Sequence, residues 1–481
     1  MRLVKNFLSL AAAELICKLV TFAAFAYVAR VAGPDGFGYV EFAGAVLLCA
    51  GLVIDQGFGP YGAREIAKEP ARTPALVSEI VLARFVLAIV AYGAVLAFAL
   101  LIDFSPVVSR LLLVYGLSLL VMPLLLQWVF QGHDLMRAVG TMQVIRQIVF
   151  AALVFALVGG RDQIWLVAAA ELAGVTGAAV YGVWMYRRLV GAAMLTRPKM
   201  TGRLFREGVP IGLSQMFWLV RMYGATMILG TIATAEEIGF FAAAMRILMA
   251  LHTFVYLYHF NLLPSFARAW QQADGSFGRL IERSLHSVAW MGAAALLIWV
   301  IVSPVAMTTV YGQAFRPAGS TLQWLAGLCI VAWLSGHYRY GLIAAGHQTA
   351  ELMTAAAGAV VVAVLVPFGY SERGPEGAAM GLVVADMVVW ASAWWFGRRR
   401  LGLNNNGRLL VRPALAALFV SGLLWSLPVS SWVAQAIIAG VSMTALAFLI
   451  DARVRNHFHE LRAARGRAGQ LLGKQLPEVT R

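Results

Sequence analysis

Along this chain, apolar residues run in blocks of about 20, the length that carries a helix across the hydrocarbon of a bilayer. Charges, prolines or glycine clusters close each block. The pattern predicts an all-α, polytopic membrane protein with about fourteen transmembrane helices. The expected spans are 7–31, 39–59, 79–102, 108–130, 141–160, 164–186, 209–231, 238–262, 286–309, 320–343, 347–369, 376–396, 412–428 and 431–451. Spans and short loops use up the chain, so no soluble domain is expected.

Composition agrees. Hydrophobic residues make up 61% and charged residues 13% of the 481, against roughly 45–50% and about 25% in a soluble domain. A soluble fold could not hide so much apolar surface, and a chain this hydrophobic does not stay disordered. The net charge of +15 does not indicate a nucleic-acid partner, because the basic residues are scattered between apolar runs. Cys17, Cys49 and Cys329 all sit inside apolar stretches and spell neither a CxxC motif nor a disulfide framework. No cofactor is implied, and no Cys or carboxylate spacing suggests a metal site.

The basic residues also set an orientation. One set of alternate connections, with the tail after Asp451, holds 27 Lys and Arg, and the other set holds 5. By the positive-inside rule both termini are cytoplasmic, which requires an even number of spans. The first span starts too early and runs too long for a cleaved signal peptide, so it is expected to be an uncleaved helix. The basic tail either lies on the anionic lipids of the cytoplasmic leaflet or is solvated and only fixes topology.

An internal repeat is visible. Gly33-Pro34-Asp35-Gly36-Phe37-Gly38-Tyr39-Val40-Glu41 leads into the second span, and Glu236-Glu237-Ile238-Gly239-Phe240-Phe241 leads into the eighth. Each copy has an acidic turn, then glycine, then aromatics. An even number of spans separates them, as in parallel repeats about an axis along the membrane normal. The implied organisation is a six-helix lobe over 1–190, a second over 191–400, two further helices over 401–452 and a basic cytoplasmic tail over 453–481.

After the basic residues of the connections are set aside, six remain within spans: Lys18, Arg84, Arg146, Arg221, Arg246 and Arg339. Each costs roughly 2.5–3.5 kcal/mol at mid-helix on insertion scales. Arg84 is close enough to Glu79 and the inner surface to snorkel. Arg221, Arg246 and Arg339 have no acid within a turn of their own helix. Together with Arg146 they either face a hydrated cationic cavity or pair with acids of other helices. Trp218, Tyr256, His259 and Tyr338 lie near them by helical spacing. A cavity of arginines and aromatics suits a ligand with anionic phosphates and sugar rings, because guanidinium forks pair with phosphate and ring faces stack on sugars.

Several segments carry a family resemblance: Gly33–Tyr39, Asp55-Gln56-Gly57-Phe58-Gly59 with Arg64-Glu65-Ile66-Ala67, Trp128–Asp134, Tyr311-Gly312-Gln313-Ala314-Phe315 and Gly374-Pro375-Glu376-Gly377-Ala378. From the first span to the twelfth the chain resembles the polysaccharide transport family of the multidrug, oligosaccharidyl-lipid and polysaccharide exporter superfamily, which includes O-antigen and exopolysaccharide flippases. The resemblance implies a monomeric flippase of the bacterial inner membrane. Its cargo would be undecaprenyl-pyrophosphate-linked oligosaccharide, moved to the outer leaflet by ion-driven alternating access. It also implies lumen cations at Arg146, Arg221, Arg246 and Arg339, sugar contacts at Trp218, Tyr256, His259 and Tyr338, and coupling or gating residues at Glu14 and Lys18. Glycan polymerase and chain-length proteins would be partners.

Three other readings compete. A drug/cation antiporter would carry a carboxylate-dominated lumen, whereas here the basic residues outnumber the deep acids. A lipid II flippase shares the cationic cavity and the fourteen helices. A membrane glycan polymerase or ligase would show one large outside loop, and every outside connection here is short; nucleophile-elbow and paired-carboxylate motifs are also missing.

Overall fold

The computed structural model describes residues 2–190, 202–272, 274–403 and 407–456, without the side chains of 2–15, Pro210, Ile211, Ser214 and Trp218. Fourteen helices order these residues: α1 Arg2–Asp55, α2 Phe58–Lys68, α3 Thr73–Leu101, α4 Pro106–Val121, α5 Gln127–Gly132, α6 Met136–Leu157, α7 Trp165–Val190, α8 Gly202–Ile232, α9 Ala235–Gln272, α10 Ser276–Tyr311, α11 Ala318–Ala344, α12 Gln348–Leu401, α13 Arg408–Ser426 and α14 Trp432–Ile450. The described residues contain no strand. The expectations for residues 191–201 and for the tail beyond 456 lie outside the described residues.

Two of these helices are too long for one crossing. A straight 54-residue helix would reach about 80 Å, against about 30 Å of hydrocarbon. In α1 the break is Gly33, at φ 72° and ψ 179°, followed by Pro34. Only glycine adopts that conformation without strain, and proline then removes an amide donor. In α12 the break is Arg373-Gly374, with Gly374 at φ 58°, followed by Pro375. Glycines let the two arms of α12 meet: a Cβ built on Gly377 would lie 2.5 Å from the carbonyl carbon of Gly369. Among the described residues, eleven helical stretches have the length and apolarity of a membrane span. Counting α1 and α12 as two crossings each, and adding α8 with its shorter apolar stretch Leu219–Ile232, gives fourteen. Leu101, Leu449 and Trp425 stand more than two-thirds exposed, as expected where lipid is the solvent.

Two expected boundaries change. The span expected at 108–130 stops at Val121, where Pro123 turns the chain through a 3₁₀ segment before the short α5. The span expected to end at 59 stops at Asp55. Gln56 and Gly57, both at positive φ, redirect the chain into α2, which carries Arg64-Glu65-Ile66-Ala67.

The chain divides into two compact units. One comprises Met1–His252, Pro304–Leu325 and Leu352–Val389. Its core packs Phe58, Tyr61, Ile66 and Leu76 against Trp128, Phe130 and Tyr186. The other comprises Thr253–Ser303, Ala326–Glu351 and Trp390–Arg481. It has a core of Phe266, Phe277, Ile281 and Tyr338 and a second in which Trp290 meets Val420 of α13 and Met443 of α14.

Candidate functional site

Each of the four arginines expected in the lumen is ion-paired with a carboxylate of another helix. Arg146 of α6 meets Glu171 of α7. Arg221 of α8 meets Asp386 of α12 at 2.6 Å, Arg246 of α9 meets Glu41 of α1 at 2.5 Å, and Arg339 of α11 meets Glu351 of α12. Of the two alternatives that the residue pattern left open, pairing between helices is what the chain adopts. An unpaired guanidinium in hydrocarbon is costly, and a carboxylate on a neighbouring helix offsets that cost with charge-assisted hydrogen bonds.

Exposure separates the pairs. Arg221 and Asp386 show only 4% and 5% of their side chains. Arg221, expected in the lumen, is thus buried with its partner in this arrangement. Arg84, expected to snorkel, is likewise buried and paired with Asp55 of α1. The Arg246–Glu41 pair shows 26% and 12%, and Arg146 with Glu171 is similarly half-open.

These two half-open pairs belong to one polar cluster within the first unit. A close approach between α6 and α7 brings Arg146 to Glu171: a Cβ on Gly174 would lie 2.7 Å from the Arg146 carbonyl oxygen. One residue along α6, Gln147 Oε1 accepts a hydrogen bond from the Thr21 hydroxyl of α1 at 2.6 Å. The guanidinium of Arg246 lies 3.3 Å over the centre of the Phe25 ring, a cation–π contact that fixes its plane. The Tyr115 hydroxyl of α4 lies within the field of Glu171, Glu41 and Arg246 together. Five helices, α1, α4, α6, α7 and α9, therefore converge on two cations and two carboxylates. Glu41 is the functional candidate that the residue pattern missed, because its partner Arg246 lies 205 residues away on another helix.

The remaining expected residues are placed as follows. Lys18 is exposed, and the side chains of Glu14 and Trp218 lie outside the described residues. Tyr256 is half-exposed and stacked on Phe260 at 5.8 Å. His259 and Tyr338, expected to touch sugars, are almost fully buried. Tyr338 belongs to a hydrophobic core. His259 is bonded through Nδ1 to the Val255 carbonyl at 2.9 Å and packed edge-on against His337. Both are therefore core residues of this fold and offer no surface to a ligand. Among the described residues no group of three or more His, Cys, Asp and Glu side chains could hold a metal ion.

The second unit holds a buried ionic knot at the end of α14. Asp451 Oδ2 accepts from His286 Nε2 at 2.8 Å and from the Trp290 indole at 3.1 Å. Burial raises the Asp451 carboxyl, but hydrogen bonds from His286 and Trp290 outweigh it and hold the group below the usual carboxylate range. A depressed carboxylate stabilises the fold above its unfolded value and loses that contribution as pH falls through the folded value. The thermal midpoint in detergent should hold from pH 7 to about 5 and drop below about pH 4. Asp451→Asn should be less stable at neutral pH and lack that part of the decline; an unchanged acid limb would remove the knot from the account.

A curated relative from Escherichia coli (strain K12), named "Putative O-antigen transporter", is 21% identical over 418 residues, covering 85% of this chain and 98% of the relative. Two solved structures share the fold. The lipid II flippase MurJ in an inward closed conformation is 12% identical with a TM-score of 0.68, covering 91% of this chain and 97% of its own. A multidrug resistance MATE family transporter of the MOP superfamily, inward-facing, is 15% identical with a TM-score of 0.64, covering 82% and 98%. At these identities the likeness establishes a multi-pass transporter fold. The model of the family described as polysaccharide biosynthesis protein matches residues 3–270, more than half of the chain, and the chain belongs to that family.

Proposed function

We propose that this protein is a flippase that carries a lipid-linked oligosaccharide, its sugars joined to a polyprenyl pyrophosphate, from the inner to the outer leaflet of a bacterial inner membrane. The observation that carries the reading is the cluster of two half-open arginines, Arg146 and Arg246, inside a membrane-spanning fold. Guanidinium groups bind phosphate oxygens in pairs, and an intramembrane charge that is reachable marks a transport path. The family and the name of the Escherichia coli relative support a glycan precursor as cargo.

In this reading 1–190 and 191–400 are the two lobes that alternate access, 401–452 adds two helices, and both termini face the cytoplasm. The chain works as a monomer without catalysing a reaction, and an ion gradient drives the cycle. Arg339, 21% exposed beside Glu351, and Arg221 are substrate-binding cations in the same reading. Lys18 gates, together with Glu14. Anionic lipids hold the tail, and a glycan polymerase with its chain-length partner takes the product. Lipid II as cargo is the second reading, which the MurJ-like fold permits.

Deletion of the gene tests the assignment. The expected result is loss of the surface glycan and build-up of its lipid-linked repeat unit on the inner leaflet, with rescue by the intact chain. Arg146→Ala combined with Arg246→Ala should rescue less than a tenth as well, judged by about 1.4 kcal/mol per tenfold. If the repeat unit still reaches the outer leaflet in the deletion strain, the assignment is wrong.

A further inference from the structure

Glu41 does more than neutralise Arg246. Three residues before it, Gly38 of α1 crosses Gly239 of α9, backbone against backbone. A Cβ built on Gly38 would lie 2.9 Å from the Gly239 nitrogen, and one on Gly239 would lie 2.8 Å from the Pro34 carbonyl carbon. Gly38 and Gly239 are the matching glycines of the internal repeat. Glu41 follows Gly38 by one helical turn and Arg246 follows Gly239 by about two, so the ion pair ties together the same two helices that the glycines bring into contact.

The pair is one-sided. Arg246 Nε and Nη2 both reach the same oxygen, Glu41 Oε1, each at 2.5 Å. A phosphate offers two oxygens to the same fork, the stronger bidentate arrangement. Phe25 holds the plane of the guanidinium from one face, and a quarter of the Arg246 side chain is open. Around the pair are Tyr115 of α4, Tyr223 of α8 and Tyr311 of α10, and Tyr115 also feels Glu171. None of these brings a second carboxylate against Arg246 that a phosphate would have to displace.

We propose that Arg246 is a phosphate site kept filled by Glu41, and that a pyrophosphate headgroup, by taking Arg246 from Glu41, unlatches the α1–α9 crossing. The displaced carboxylate cannot stay both buried and ionised without a cation, because an unpaired buried charge costs several kcal/mol. Separation of the helices at the crossing gives it water. The headgroup therefore binds the open arrangement, in which Arg246 is free of Glu41, more tightly than the latched one, and that difference is what shifts the population. No bond is made or broken; the exchange is of ion-pair partners.

This inference takes its ligand from the flippase reading, but its test needs no glycan. Nitroxides are placed on Asp35→Cys and Glu236→Cys, beside the crossing, in the full chain with its three native cysteines replaced by serine and reconstituted in nanodiscs. Inorganic pyrophosphate is the probe. The expected result is a longer label distance on adding pyrophosphate. Glu41→Gln should show the longer distance without ligand and bind pyrophosphate at least about fivefold more tightly, within the usual range of coupling between sites. Arg246→Gln should bind at least about tenfold more weakly and show no response. Glu41→Asp, which keeps the charge, should latch and respond like the parent, separating loss of the latch from loss of folding.

A parent-like distance and affinity in Glu41→Gln would overturn the latch, as would pyrophosphate affinity that ignores Arg246→Gln. A pyrophosphate-responsive latch in a chain whose deletion leaves glycan export intact would refute only the cargo. A dead latch in a chain that export requires would refute only this inference.

Discussion

Asp386→Leu should destabilise the folded chain by about 3–5 kcal/mol, the usual cost of removing one partner of a buried ion pair. Arg221 and Asp386 are each about 95% buried and joined at 2.6 Å. Removing the carboxylate takes the balancing charge away from a buried guanidinium. Arg221 has little room to rearrange, since a Cβ on Gly358 would lie 3.3 Å from its Cδ. Replacing both residues by leucine removes the two charges together, and apolar side chains of similar volume often match or exceed a buried pair in stability. The double variant should therefore recover most of the loss, and a double-mutant cycle on thermal midpoints in detergent measures the coupling. The same double variant, stable but without Arg221, should rescue surface glycan less well in the deletion strain. Full export with recovered stability would take Arg221 out of the ligand path.

The contrast between Arg221 and Arg246 shows what a residue pattern can carry. Both are single arginines in apolar helices with no acid within a turn, so their own helices treat them alike. What distinguishes them lies on other helices, 165 and 205 residues away in the chain, and helical periodicity holds no information about those neighbours. His259 and Tyr338 failed for the same reason. Aromatic and polar residues on an arginine-bearing face look like a sugar platform until the second helix that buries them is in place. The crossings, by contrast, were legible. Blocks of about 20 apolar residues set their number, and Gly33-Pro34 and Gly374-Pro375 marked the two reversals through backbone chemistry alone. The glycines of the α1–α9 crossing were legible in the same way, because close helix approach demands glycine wherever it occurs. Glu41 was not singled out: it lies inside the span expected at 39–59, and its arginine is 205 residues away.

Gly239→Leu should abolish glycan export while leaving the protein in the membrane. The space beside Gly239 is occupied by the Pro34 carbonyl, and beside Gly38 by the Gly239 nitrogen. These are backbone atoms that no rotamer change can move aside, so a larger side chain must push α1 and α9 apart. Insertion does not suffer, because leucine makes α9 more apolar. What suffers is the arrangement in which the two helices touch and Glu41 reaches Arg246. A chain that cannot take up that arrangement cannot complete an alternating cycle. Gly239→Ala should give partial export, and Gly38→Leu with Gly239→Leu should be no worse than either alone, since both remove one contact. Surface glycan in the deletion strain, scored against the amount of protein in the membrane, provides the measurement. The Asp35→Cys and Glu236→Cys labels provide the physical readout and should lie further apart in Gly239→Leu with no pyrophosphate present. Full export by Gly239→Leu would show that the crossing need not close for transport, and the latch would then lose the contact it is meant to release.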